Sequence, residues 1–428
     1  MSSITVRAAG PLVGKVRVPP SKSYTHRAVL MASLAEGEST ISNALFSRDT
    51  RATMAACRAM GARIDESGST VRVGGAVPAA PEDVVSVENS GTTLRFMTSV
   101  LAAAPRGSAV LTGDASIRRR PMQPLLDALG ELGVEAWSTR GNGCAPIVVR
   151  AGGIRGGRAT IRGDVSSQFV SSLLIAAPMA MQDSSIVVAD AVSRPYIDAT
   201  IALARRYGMR IERDGYSVFR VGAGQRYAHG DFAVPADFSS ASFIVAAVGL
   251  AGGSVVLEGL NPELPQGDAA VLGIASAMGV KVSQGRDTVT VESDGGRLRG
   301  GTFDLGDTPD LLPVVAAMAL RSDSPVEVVG TAHARFKETD RIAILSGELT
   351  KLGVKIDERR DGMKIFPVDE IRPAVLDAHD DHRMFMAFAL ASMVVPGGTP
   401  VLGADSLDVS YPAFLEDIAA LGARVERS

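Results

Sequence analysis

One short pattern recurs six times and governs how this chain can fold. A helix-like run ends in a large residue; then come glycine, a small or apolar residue, a polar residue and a strand-like residue. The copies are Met60-Gly61-Ala62-Arg63-Ile64, Leu132-Gly133-Val134-Glu135-Ala136, Tyr207-Gly208-Met209-Arg210-Ile211, Met278-Gly279-Val280-Lys281-Val282, Leu352-Gly353-Val354-Lys355-Ile356 and Leu421-Gly422-Ala423-Arg424-Val425. Successive glycines stand 69 to 75 residues apart. A glycine at that place ends a helix in the left-handed conformation, which other residues adopt only at a cost. The alternation after it starts a strand, and a polar turn leads to a second strand, as in 65–73 and 287–292.

A second feature keeps the same period. Small polar or acidic residues open six further helices: Ser21-Lys22-Ser23, Ser90-Gly91-Thr92, Ser166-Ser167-Gln168, Ser239-Ser240, Asp307-Thr308-Pro309 and Asp380-Asp381. The helices that follow, such as 169–181 and 311–320, are apolar on every side, so each is expected to be buried on every side. The other helix of each unit is amphipathic: Ile342, Leu345, Leu349 and Leu352 share one face. Six such units make two domains of three. The sixth unit reaches Ser428 before its second strand, and 4–7 and 15–18 are expected to supply the missing strands. One domain is thus expected to comprise 1–19 plus 235–428, and an inserted domain 20–234, with crossings at Pro19-Pro20 and Val234-Pro235. Helix N-termini carry partial positive charge and free N–H groups. If both sets of three point into a cleft between the domains, that cleft suits phosphate and carboxylate ligands.

Charge narrows the ligand further. There are 44 basic and 47 acidic residues, a net charge of −3, which gives no general affinity for nucleic acid or anionic membrane. Any Lys/Arg cluster must be local and suited to a small anion. Cys57 and Cys144 lie far apart with no Cys/His grouping, so no metal site is expected and both thiols are expected to be buried and reduced. Residues 1–10 lack a signal-peptide core, and the longest apolar runs, such as 384–395, are near a dozen residues, short of the roughly 20 a membrane span needs. A cytoplasmic enzyme is expected.

Pro20-Ser21-Lys22-Ser23 with Arg27 resembles the N-terminal signature of the 5-enolpyruvylshikimate-3-phosphate synthases. Further matches follow in order: Asn89-Ser90-Gly91-Thr92-Thr93 with Arg95, Arg120-Pro121, Ser166-Ser167-Gln168, Ser193-Arg194-Pro195-Tyr196, Asp310, Lys337-Glu338-Thr339-Asp340-Arg341 and Asp381-His382-Arg383-Met384. The resemblance implies an α/β fold, a two-domain inside-out barrel of six βαβαββ repeats, three per domain, with the N-termini of the buried helices facing the interdomain cleft. It implies enolpyruvyl transfer from phosphoenolpyruvate to the 5-hydroxyl of shikimate 3-phosphate, with release of phosphate, in the shikimate pathway. It implies a monomer with no cofactor, no nucleic acid and no membrane partner.

By the same resemblance, Lys22, Gly91, Arg120, Gln168, Arg341 and Arg383 hold phosphoenolpyruvate. Lys22, Ser23, Arg27, Ser166, Ser167, Gln168, Ser193, Tyr196, Asp310, His333 and Lys337 line the shikimate 3-phosphate side, and His333 stands where relatives often carry Asn. Addition followed by elimination needs a base at the acceptor hydroxyl and an acid at the donor methylene. The resemblance assigns these roles to Asp310 and Glu338, with Lys22 assisting. Read from the residues alone, Asp310 is equally a helix-start residue and Glu338 a partner for Lys337 and Arg341, while the serines are equally helix caps.

The alternative is the sister class that uses UDP-N-acetylglucosamine as acceptor. Its members usually carry a reactive Cys five residues before the Arg that matches Arg120; here Ala115 stands there, and the Ser-Ser-Gln motif is present. Many relatives also carry a Lys shortly before a Phe-Pro or Tyr-Pro step. Here the step is Tyr411-Pro412, and Val409 occupies the Lys position.

Overall fold

All six pattern glycines have positive φ, from 82° at Gly133 to 114° at Gly422. A computed structural model describes residues 3–428 and puts each of these glycines directly after the C-cap residue of a helix. At Gly61 the helix end closes with two backbone bonds, Gly61 N–H to the Arg58 carbonyl and Ala62 N–H to the Cys57 carbonyl, both 3.0 Å. The second bond spans six residues, the Schellman pattern that satisfies carbonyls left open at a helix end.

Six consecutive helix pairs are described: α1 (Lys22–Ser33) with α2 (Arg48–Ala59), α3 (Gly91–Ala102) with α4 (Gln123–Glu131), α5 (Ser167–Ala176) with α6 (Arg194–Arg206), α7 (Phe238–Ala251) with α8 (Ala270–Ala277), α9 (Leu312–Ala319) with α10 (Arg341–Lys351), and α11 (His382–Val394) with α12 (Phe414–Ala420). The first helix of each pair is enclosed. Every residue of α7 from Phe238 to Leu250 is buried, and every residue of α11 from His382 to Met393. The second helix shows one face to the core: in α10, Ile342, Leu345 and Leu349 are buried while Lys351 is exposed.

Each pair goes with a four-stranded sheet of one recurring order. Gly301–Asp304 runs parallel to Val326–Val329, which pairs antiparallel with Gly362–Ile365, itself antiparallel to Ile356–Arg359. The parallel step requires a crossover, and α9 is that crossover. The N-terminal strand Ser3–Ala8 lies between Pro400–Leu402 and Ala423–Arg427, and Leu12–Arg17 runs parallel to Gly253–Glu258. The first strands thereby complete the sheets of the sixth and fourth units. Packing divides the chain into Met1–Pro19 with Ala236–Ser428, called the terminal unit here, and Pro20–Pro235, the inserted unit.

Ser21, Ser90, Ser166 and Asp381 cap α1, α3, α5 and α11 through their side chains. Two helix starts differ from the sequence expectation. The cap of α7 is Asp237, which accepts the Ser240 amide at 3.1 Å; Ser239 and Ser240 lie inside the first turn. The longer carboxylate reaches the orphan N–H groups first, and Ser240 turns its own hydroxyl onto the same oxygen at 2.9 Å. Before α9 a 3-10 turn, Pro309–Leu311, intervenes, and Thr308 makes no side-chain cap. Cys57 is buried, whereas Cys144 is only partly so.

Candidate active site

In the inserted unit, α1 and α2 run side by side in the same direction, held by two polar rungs. Lys22 Nζ meets Asp49 Oδ2 at 3.1 Å, and one turn on His26 Nδ1 meets Thr53 Oγ1 at 2.6 Å. Thr53 passes the link to Thr93 of α3 at 2.6 Å, and the Thr93 hydroxyl donates to Ser90, the α3 cap, at 2.7 Å. The N-terminal ends of α3 and α5 are also adjacent. Gln168 Nε2 donates to Thr92 Oγ1 at 3.0 Å and Gln168 Oε1 accepts from Arg95 at 2.5 Å. Further along, Ser99 and Ser172 meet at 2.5 Å, so these two helices also run in the same direction.

Gly91 is the first residue of α3, and its missing side chain matters. A Cβ there would stand 2.7 Å from Arg120 Nη1 and 3.2 Å from Arg95 Nη1. Two guanidinium groups and a helix N-terminus therefore converge on a spot that only glycine leaves open. Arg120 is held by Asn89 Oδ1 and Ser116 Oγ, both at 3.2 Å. Ser166 accepts the Gln168 amide at 3.3 Å, and Ser167 is buried beside it. Arg27 is 2% exposed, donating to Thr200 Oγ1 at 2.8 Å and to the carbonyls of Ser23 at 2.9 Å and Tyr196 at 3.1 Å. Burial lowers its pKa to about 10, and it remains a cation at neutral pH. Ser193, with φ of 51°, precedes α6 and directs the turn carrying Tyr196. Lys22, Gly91 and Gln168 thus stand at the starts of α1, α3 and α5, with the Arg120 guanidinium reaching the α3 start from the end of the 3-10 segment Ile117–Arg119, while Arg27, Ser23, Tyr196 and Ser193 form a second group.

In the terminal unit, the centre is Arg341, 1% exposed on the first turn of α10. Its Nη1 meets Asp310 Oδ1 at 2.8 Å, its Nη2 meets Glu338 Oε2 at 2.7 Å, and its Nε meets Asp381 Oδ2 at 2.8 Å. Asp381 also accepts the Thr339 hydroxyl at 3.1 Å and the Arg383 amide at 3.0 Å. Asp310 receives two more cations, Arg383 Nη2 at 3.1 Å and Lys337 Nζ at 3.6 Å. Burial by itself would lower the Arg341 pKa; the carboxylates of Asp381, Glu338 and Asp310 outweigh it and hold it well above the usual value. For Lys337, desolvation outweighs the pull of Asp310 and the pKa falls. Every cation of this cluster already sits on a carboxylate, so an anionic ligand here competes with internal partners.

His333 is buried in the 3-10 segment Ala332–Phe336. Val409 is buried at the end of the 3-10 segment Ala404–Val409. Two carboxylates escaped the sequence reading. Asp49 holds Lys22, and Asp268 lies buried at 2% exposure on the turn before α8. Asp49 lies 27 residues from Lys22 in sequence, and only the side-by-side packing of α1 and α2 joins them.

Six repeated units and two clusters of cations, carboxylates and helix N-termini define an enzyme built to hold small, multiply anionic substrates. The chain belongs to the EPSP synthase (3-phosphoshikimate 1-carboxyvinyltransferase) family, whose profile matches residues 6–418. It is 46% identical to a 3-phosphoshikimate 1-carboxyvinyltransferase of Methanothermobacter thermautotrophicus over 428 residues, covering 99% of this chain and 100% of the relative. A protein of the same name from Methanocella arvoryzae is 44% identical over 416 residues, covering 96% and 97% of the two chains. The solved structure of EPSP synthase from Acinetobacter baumannii matches at a TM-score of 0.82 and 25% identity, covering 100% of both chains.

Proposed function

We propose that this protein transfers the enolpyruvyl group of phosphoenolpyruvate to the 5-hydroxyl of shikimate 3-phosphate, releasing inorganic phosphate. The observation that carries the chemical assignment is that Asp310 and Glu338 are bound by two nitrogens of the one buried Arg341 guanidinium, at 2.8 and 2.7 Å. Two carboxylates fixed so near each other suit a base and an acid acting on adjacent reacting atoms.

In this reading Asp310 takes the proton of the acceptor hydroxyl as its oxygen bonds to C2 of the donor. Glu338 gives a proton to C3, which becomes a methyl group. In the second step C3 returns a proton, the C2–O bond to phosphate breaks, and phosphate leaves with the electron pair. Lys22 assists proton transfer and stabilises charge on the donor, and the salt bridge to Asp49 fixes where its ammonium stands. Gly91, Arg120, Gln168, Arg341 and Arg383 bind the donor anion. Ser23, Arg27, Ser166, Ser167, Ser193, Tyr196, His333 and Lys337 hold the acceptor. The protein works in the cytoplasm as a monomer, without cofactor or metal.

Phosphate release tests the assignment. It should require both phosphoenolpyruvate and shikimate 3-phosphate, and UDP-N-acetylglucosamine should not replace the latter, in keeping with Ala115 in place of a reactive Cys. Turnover with the nucleotide sugar alone would reverse the choice of acceptor.

A further inference from the structure

Gln266-Gly267-Asp268 forms a short turn before α8 and carries a carboxylate that the proposed reaction does not use. The turn grips the start of α7. Gln266 Oε1 accepts from the Phe238 amide at 3.1 Å, and its Nε2 donates to the Ala236 carbonyl at 2.8 Å. Two residues on, Asp268 accepts the Ser239 hydroxyl. Helix α7 is common ground: it packs against this turn, against the 3-10 segment holding Asp310, and against α11, whose second residue is Arg383. Asp268 is 2% exposed, and both Asp310 and Arg383 are near enough to bear on its charge.

A buried carboxylate is costly unless something offsets it. Asp310 faces Arg341, Arg383 and Lys337 at 2.8, 3.1 and 3.6 Å. Cations that close favour the ionised carboxylate and make it a weak base. A second carboxylate near the same pair acts in the opposite sense. Burial pushes Asp268 up to about 6, with Asp310 adding to the rise and Arg383 opposing it. Repulsion between two carboxylates is mutual, so Asp268 also raises the proton affinity of Asp310.

Resting on the function proposed above, we infer that Asp268 is a positioning residue: ionised, it opposes the cations on Asp310 and keeps Asp310 basic enough to take the acceptor proton. The other charged groups that bear on the pair are Asp237 from α7, Lys337, Glu338 and Arg341 at the start of α10, and Asp381, His382 and Arg383 at the start of α11. Asp268→Asn alters none of them and keeps an oxygen for the Ser239 hydroxyl.

The test is kcat against pH, with phosphoenolpyruvate and shikimate 3-phosphate, for the unaltered enzyme, Asp268→Asn, Asp268→Glu and Ser239→Ala. The unaltered enzyme should lose rate as Asp268 takes its proton near pH 6. Asp268→Asn should lower kcat at pH 7.5 by roughly tenfold, abolish that step, leave both KM values near normal and not lower Tm. Asp268→Glu should restore the step. Ser239→Ala keeps the charge but removes a hydrogen bond that lowers the Asp268 pKa, so its step should move to higher pH. An unchanged profile in Asp268→Asn, or an unmoved step in Ser239→Ala, overturns the inference while the functional reading stands. No turnover of these two substrates by the unaltered enzyme overturns both.

Discussion

Asp381→Asn isolates the charge that fixes Arg341. Asp381 is fully buried and, besides accepting the Thr339 hydroxyl at 3.1 Å, does two jobs: it accepts the Arg383 amide as the α11 cap at 3.0 Å, and it accepts Arg341 Nε at 2.8 Å and Nη2 at 3.2 Å. Asn ranks with Asp as a cap, so the substitution keeps the first job and loses the second. Breaking a buried ion pair costs about 3–5 kcal/mol when the remaining charge has no partner. Arg341 still keeps Asp310 and Glu338, which puts the expected loss at the lower end, about 3 kcal/mol. Asp381→Ala loses the cap as well, for about 1 kcal/mol more. Urea unfolding of the two variants reads both quantities, and kcat should fall in each because the guanidinium that aligns Asp310 and Glu338 has lost its third anchor. Equal stability of the two variants, or a loss under 0.5 kcal/mol in Asn (well below the ~3 kcal/mol expected), would refute the division of labour.

Other predictions follow from the same geometry. Asp310→Asn and Glu338→Gln should each cut kcat by about 10²–10⁴-fold while equilibrium binding of the acceptor, measured by calorimetry, changes far less. Gly208 has φ of 85° and open space for a Cβ, its nearest neighbour at 3.6 Å, so Gly208→Ala should cost about 1–2 kcal/mol of pure backbone strain. Gly130, inside α4 with nothing within 4 Å, is the counterpart, and Gly130→Ala should stabilise by about 0.5–1 kcal/mol in the same unfolding assay. His26 is buried and burial, with Lys22 and Arg27 adding to it, holds its pKa well below 6.5. The unfolded chain then binds a proton the folded one refuses, so stability is full above pH 6.5 and falls below it, by up to about 1.4 kcal/mol per pH unit. His26→Gln should flatten that slope.

Much of the fold was legible because its signals are local. A glycine that ends a helix announces itself within five residues, and Gly61, Gly133, Gly208, Gly279, Gly353 and Gly422 all take the positive φ that reading requires. The buried helices were legible from apolar residues on every side, as in α7 and α11. Finer choices among nearby polar residues were not. Ser239-Ser240 reads as the start of α7, and the reach of the Asp237 carboxylate two residues earlier puts the cap there instead. In the Lys337-Glu338-Thr339-Asp340-Arg341 motif, the resemblance gives Lys337 and Arg341 ligand roles and Glu338 the role of acid. In the folded chain its cations are matched by Asp310 and Asp381, which come from elements 31 and 40 residues away. Pairings of that kind depend on which helix starts are neighbours, and no local pattern records it. Asp268 was missed for the same reason: in sequence it is one acidic residue in a loop, and only packing against α7 buries it.

The central claim is enolpyruvyl transfer by addition and elimination, and one measurement tests it most directly. The enzyme would be run with phosphoenolpyruvate and shikimate 3-phosphate in D₂O, and the product's vinyl group read by NMR. Because Glu338 is assigned to deliver a solvent-exchangeable proton to C3 and the resulting methyl group then gives one back, the account predicts a 5-enolpyruvyl ether carrying deuterium at the vinyl carbon, with phosphate released in equal amount. A product formed with its vinyl protons wholly unexchanged would contradict it.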